Sequence, residues 1–383
     1  MKPSFSTLLA VVFSVTAILS VPLGYYGCGS GRIIPFDEKL SIPINPDKRT
    51  QQNYFKEKHE WITRQIQKTY HQNSIVSDQN VEEKEFLKKA CHAIAFPTDP
   101  TTYKQLAQEG KQILKAGSND PLVRLWYGQM LYYTKEYESA EPFLIPAYDW
   151  DQTGYPWIHV FYALRSMAHI ARTKRDRLPG ESKNHILHAL MGYCESVARG
   201  EFNSDEAHIA FQLLDDTYTD NYNILRYGFV LDCLKGRKHI NEWYQDMLLG
   251  FLEIDLAWKA RGDGWAKDVT PEGWKGFTEH LDKANEIFRA TWQNNPKRPE
   301  AAAAMIQVVM GGRADPGETE YTWFNRAVQA QMDYPDAYTK MLYALNPRWG
   351  GSHQEMLAFG EACLATNRFD TDVPLFYLYT LRE

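Results

Sequence analysis

The residues of this chain whose types suit chemistry fall into a few small groups, and spacing decides what each can do. His185 and His188 lie three apart, with Glu181 one turn before His185. On a helix that spacing puts two imidazoles and a carboxylate on one face, the beginning of a metal site. A further ligand at useful spacing is absent, as is an HExxH pair, so no metal ligand is assigned. Asp215, Asp216, Asp220 and Asn221 make an acidic turn, but a calcium loop needs a glycine at its sharp bend and this turn has none. It reads as a helix end followed by the cap of the next helix. Ser352 and His353 are neighbours on a helix and do not face each other. His353 and Cys363 stand about three helical turns apart, too far for proton transfer. Asp370 and Asp372 are a carboxylate pair of the kind found at loop ends. No catalytic residue is assigned. Gly262-Asp263-Gly264 lacks the strand and following motif of a phosphate loop, so no cofactor is expected.

One turn stands apart. Arg348-Trp349-Gly350-Gly351 joins two expected helices. Two glycines permit a tight corner in which Trp349 packs over the next helix and Arg348 meets a helix C-terminus. The alternative is a recognition corner with Arg348 and Trp349 turned to a partner, and Trp265 belongs with them as a candidate partner-binding residue.

The elements that must position these groups are helices. The chain has 383 residues, 44% hydrophobic and 23% charged, which is globular composition. It is rich in Trp, Tyr and Phe and sparse in Val and Ile beyond its first stretch, which favours helices packed with large side chains over sheets. A net charge of -6 without a basic stripe excludes a nucleic-acid partner. Between Trp265 and Phe369 the start signals are explicit. Thr270-Pro271-Glu272 opens a helix whose apolar face is Trp274, Phe277, Leu281, Ala284, Phe288 and Trp292. Pro299-Glu300 starts an alanine-rich helix ending at Gly311-Gly312. Asp315 to Glu318 and Ser352 to Glu355 both read as capping boxes. The spacing predicts further helices over 81–95, 157–171, 183–198, 205–215, 222–234 and 241–260. The joint between an N-terminal region, 50–260, and a C-terminal one, 261–383, is expected within 259–268, where Arg261-Gly262-Asp263-Gly264 breaks the pattern.

Residues 1–27 read as an export signal: Lys2, an apolar run from Leu8 to Leu19, then Gly27-Cys28-Gly29-Ser30. A cysteine directly after such a run resembles a bacterial lipoprotein signal, which implies lipidation at Cys28 and attachment to the membrane through the N-terminus. Two other readings stand beside it, an uncleaved anchor of about 20 residues and simple secretion. All three put the body outside the cytoplasm. Residues 28–49, with Pro35, Pro43 and Pro46, read as a tether. Cys91, Cys194, Cys233 and Cys363 make no CxxC pair, and two disulfides are possible in an oxidising compartment.

Asp120 to Ala147 resembles a tetratricopeptide repeat unit: Gly128, Ala140 and Ala147 have its spacing of small residues, with Tyr137 and Leu144 at large positions. Arg124 stands where an aromatic is usual, and Pro142 and Pro146 shorten or bend the second helix. The phrases Gly264-Trp265-Ala266, Glu272-Gly273-Trp274, Trp323-Phe324 and Pro347-Arg348-Trp349-Gly350-Gly351-Ser352 resemble a domain of unknown function found in exported bacterial proteins. That resemblance covers roughly Trp258 to Pro374 and implies tetratricopeptide-like helices in a cell-envelope setting. The expected fold is all-α, an irregular solenoid of stacked antiparallel helical hairpins. The expected function is binding or scaffolding in the bacterial cell envelope, with a peptide, protein or polymer as partner. The alternatives are an envelope hydrolase and a structural assembly subunit, the latter because Val373 to Leu381 is apolar and uncapped.

Overall fold

The computed structural model describes residues 40–45, 48–73, 81–173, 180–217 and 225–382. The expected export signal and Cys28 lie outside the described residues. The fold is all-α, with sixteen α-helices and no strand among the described residues. No helix among them is long and apolar enough to cross a membrane. The chain divides into two compact units, one holding Phe55–Asn241 and the other holding 40–54 together with Glu242–Glu383. The divide falls one helix before the expected 259–268 joint. The helix Glu242–Arg261 buries Trp243, Met247, Leu248, Phe251 and Ile254 against its successor, so the glycine break after Arg261 is the turn of a hairpin.

The first unit contains α1 (Gln51–Asn73) from Phe55 onward, α2 (Val81–Ala95), α3 (Pro100–Lys115), α4 (Pro121–Tyr133), α5 (Tyr137–Leu144), α6 (Ile158–Thr173), α7 (Glu181–Ala198), α8 (Ala207–Asp215) and α9 (Arg226–Leu234). Consecutive helices pack from α2 to α7, and the alternate helices α2, α4 and α6 also lie against one another. Small residues set the closest crossing: a Cβ on Gly128 would stand 2.7 Å from the Phe143 Cβ, so a larger residue would force α4 and α5 apart. Arg124 packs at the same crossing, its guanidinium lying 5.3 Å from the Phe143 ring centre. Pro142 sits inside α5, which stops after Leu144 and runs on as a 3-10 stretch, Ile145–Gln152. The Glu201 carboxylate accepts from the Trp157 (2.7 Å) and Ile158 (3.1 Å) amides at the start of α6 and from the Ser196 hydroxyl (2.6 Å). Its backbone carbonyl accepts from Trp61 Nε1 at 3.0 Å, tying α1 to the same spot.

The second unit contains α10 (Glu242–Arg261), α11 (Pro271–Asn294), α12 (Glu300–Met310), α13 (Glu320–Ala330), α14 (Pro335–Ala344), α15 (His353–Ala365) and α16 (Phe376–Thr380). Again consecutive helices pack from α10 to α14, and α12 touches both α10 and α14. The composition of α12 explains its place. Ala301 to Ala304, Met305, Ile306, Val308 and Val309 are all buried, so the helix is apolar all round, and its alanines let four neighbours approach.

Residues 40–45 and 48–51 run along this unit. Ser41 N donates to Asn325 Oδ1 (2.9 Å), Met332 N to the Arg49 carbonyl (3.1 Å), and Gln51 N to Asp333 Oδ1 (2.7 Å). Arg368 donates to the Ile44 and Asn45 carbonyls at 3.3 and 3.2 Å. The described part of the expected tether is therefore docked, because side chains of the second unit take up its extended backbone groups. Burial lifts the Asp333 carboxyl from 3.8 to about 6, against the Gln51 amide and Gln331 side chain, which favour the charged form. A raised folded-state value means the folded protein holds the proton more tightly. Stability from this group is then fully present below pH 4 and lost as pH rises through about 6, a change of about 3 kcal/mol. Asp333→Asn should remove that dependence: chemical melts of the variant and wild type should diverge at pH 7, with the variant more stable, and converge near pH 4.

Candidate functional site

The end of the α10–α11 hairpin gathers four aromatic rings around one guanidinium. Trp258 and Arg261 occupy the last turn of α10, Trp274 the first turn of α11, Tyr343 the last turn of α14, and Trp349 the 3-10 turn Pro347–Trp349. Arg261 lies 5.8, 5.6 and 6.0 Å from the ring centres of Trp258, Trp274 and Trp349. Trp258 and Trp349 meet edge to face at 5.4 Å, and Tyr343 leans on Trp349 at 5.7 Å. The local sequence makes this corner. Thr270 accepts from the Gly273 amide at 3.0 Å and fixes the start of α11, while Gly262, at φ +75°, turns the chain back. Arg261 Nη1 donates to the Gly262 and Gly264 carbonyls, both at 3.1 Å, and so spans the turn that follows it.

Among the described residues Arg261 has no carboxylate within ion-pair reach. Burial lowers its pKa, opposed by the more distant Tyr343 and Asp263. Its Nε and Nη2 remain for an outside acceptor, and Trp274 and Tyr343 are 37% and 40% exposed beside it. A flat apolar face can lie on those rings while an oxyanion or carbonyl takes the guanidinium.

Of the three residues named from sequence, Trp349 is in this cluster, half-buried. Arg348 is also half-buried and its amide donates to Asn346 Oδ1 at 3.0 Å. Trp265 caps the short turn Ala266–Asp268, accepting from the Asp268 amide at 2.8 Å, directly after the Gly264 that Arg261 holds. Sequence reading missed Trp258, Arg261, Trp274 and Tyr343 as site residues, placing Trp274 only on the apolar face of its helix. Two of them share a helical turn with a glycine break just after it, which was the available signal.

A second aromatic surface belongs to the first unit. Tyr103 stacks on Tyr133 at 4.7 Å, Tyr132 meets Tyr133, Tyr137 and His169 at 5.2, 5.8 and 5.7 Å, and all five side chains are half-buried. Burial raises the pKa of Tyr103, Tyr132 and Tyr133, and the Tyr103 hydroxyl donates to the Ala93 carbonyl at 2.9 Å.

The groups weighed for chemistry have partners of their own. His185 Nδ1 is 2.5 Å from the Tyr148 hydroxyl, and its Nε2 is 3.6 Å from Glu181. His188 Nδ1 faces the Asn184 carbonyl at 2.8 Å. Asp215 pairs with Arg226 at 3.0 Å, while Asp220 and Asn221 lie outside the described residues. Ser352 accepts from the Glu355 amide at 3.1 Å as the cap of α15. No group of three or more His, Cys, Asp or Glu side chains among the described residues is placed to hold a metal ion. No family model, curated protein or solved structure matches the chain.

Proposed function

We propose that this chain is a non-enzymatic binding protein of the bacterial cell envelope, tethered by its N-terminus, that holds an acidic peptide, protein or polymer. The observation that carries the reading is Arg261, half-exposed between indoles and, among the described residues, without a carboxylate within ion-pair reach. A protein gains little from desolvating such a group unless something else takes it up. The packing of alternate helices, α2–α4–α6 in one unit and α10–α12–α14 in the other, supports a tetratricopeptide-like stack of hairpins as the scaffold. The exposed faces of Trp274 and Tyr343 supply stacking, and the tyrosine strip of the first unit offers a second contact area. Solubilised envelope material retained on the immobilised full chain tests it. Trp274→Ala and Tyr343→Ala should each reduce retention about tenfold or more with melting temperature unchanged, the behaviour of partly exposed anchors. Undiminished retention by both variants overturns the reading.

An envelope hydrolase is the second reading, because His185 lies between the Tyr148 hydroxyl, 2.5 Å from its Nδ1, and the Glu181 carboxylate, 3.6 Å from its Nε2. Burial, with Glu181 nearby, raises the Tyr148 pKa. Its hydroxyl thus stays protonated and is a weak nucleophile, which ranks this reading below binding.

A further inference from the structure

Cys194 and Cys233 lie far apart in sequence, on helices with no motif between them, yet α7 and α9 pack against each other. That packing sets the two thiols near enough for Cys233 to bear on the protonation of Cys194. A second contact fixes the same register from the neighbouring positions: Arg237 Nη2 binds Glu195 Oε1 at 2.8 Å. Cys194 is buried and Cys233 is half-exposed, and both are free thiols in this structure. Burial, and then the neighbouring sulfur, push the Cys194 thiol up, so Cys194 is the poorer first nucleophile.

We propose that Cys194 and Cys233 are a redox pair that closes to a disulfide by exchange with a disulfide donor. The Cys233 thiolate attacks one sulfur of the donor disulfide, forming a mixed disulfide and expelling one donor thiolate. Cys194 then gives up its proton and attacks the Cys233 sulfur, forming the Cys194–Cys233 bond and expelling the second donor thiolate. Two protein thiols are oxidised, one donor disulfide is reduced to two thiols, and the two protons released end on those thiols. The bond ties α9, the last helix of the first unit, to α7. Cys91 and Cys363 are internal controls: each is buried, and Cys363 lies in the other unit. The inference is independent of what the chain binds.

The test uses the purified full chain, oxidised glutathione as the donor, and peptide mapping after acid quench and alkylation in denaturant. The expected result is one linked peptide pair carrying Cys194 and Cys233, with Cys91 and Cys363 still alkylated. Cys194→Ser should instead trap glutathione on Cys233, since no resolving thiol remains, and Cys233→Ser should give neither product. Two results overturn the proposal: wild-type Cys194 and Cys233 both alkylated after the donor has oxidised a control dithiol, or wild-type chain retaining glutathione on Cys233 unresolved. Because the wild-type chain decides the outcome, misfolding of a serine variant does not affect it.

Discussion

Trp323→Ala should lower the stability of the second unit by about 3–5 kcal/mol, the range for emptying a buried aromatic site. Trp323 is fully buried, meets Trp292 edge to face at 5.3 Å, and is covered by Arg326 at 4.2 Å and Arg289 at 5.2 Å. Its Nε1 donates to Glu318 Oε2 at 3.2 Å, and Glu318 also takes Arg289 and Arg326, each at 2.7 Å. Truncation thus opens a cavity beneath two guanidinium groups and removes one donor from a carboxylate that needs it. Glu318→Gln isolates the electrostatic part, about 1–3 kcal/mol, the worth of hydrogen bonds to a charged group. Burial works against the charged form of Glu318, but the two arginines prevail and hold its pKa below the usual 4.5. A depressed carboxylate contributes stability that is present above pH 4.5 and lost as pH falls through the lower folded value. Denaturant midpoints at pH 7 and pH 3.5 distinguish the two: the loss from Trp323→Ala should persist at both, and that from Glu318→Gln should shrink at the lower pH. A Trp323→Ala loss under about 1 kcal/mol would mean the site collapses freely and the indole is no anchor.

This network also shows where sequence reading stops. Asp315 to Glu318 reads as a capping box, yet α13 begins at Glu320 with Thr319 as its cap, accepting from the Thr322 amide. Glu318 is drawn away because Arg289, 29 residues back, and Arg326, 8 residues on, bind it more strongly than one backbone amide. Where no such competitor exists, local signals hold. Asp99 and Asp120 accept from the first amides of α3 and α4, Thr270 caps α11, and α2 spans the predicted 81–95. Helices were legible because caps and apolar periodicity act within a few residues. The indole–guanidinium corner was only half legible. Trp349 drew notice through its glycine turn, but its neighbours Trp258 and Trp274 come from another hairpin and meet it only through packing. The same holds for Cys194 and Cys233, whose pairing depends on how α7 and α9 pack. The joint at Asn241/Glu242 was hidden for a related reason: a glycine break looks alike whether it ends a unit or turns a hairpin.

At the corner itself, Gly351→Val should be the most damaging single change, about 4 kcal/mol or more, placing it among the rare severe substitutions. A Cβ at Gly351 would overlap the backbone carbonyl of Leu345, and backbone cannot swing aside as a side-chain tip can. Leu345 closes α14 and is itself buried, so relief would have to unwind that helix end. Its neighbour provides the contrast. Gly350 takes φ +98° but is exposed, so Gly350→Ala costs only the left-handed backbone, about 1–3 kcal/mol. Trp349→Ala falls between, about 2–3 kcal/mol, because the ring packs on Trp258 and Tyr343 but is only half-buried. Thermal and denaturant melts of the three variants check the ranking. Should Gly351→Val melt like wild type, the turn would have a different backbone path from the one that sets Trp349 against Arg261. The binding corner would then have to be sought on the tyrosine strip instead. Should Trp349→Ala melt like wild type while Gly351→Val collapses, the turn is right but the ring is idle in folding. Trp349 then joins Trp274 and Tyr343 as a contact for the partner.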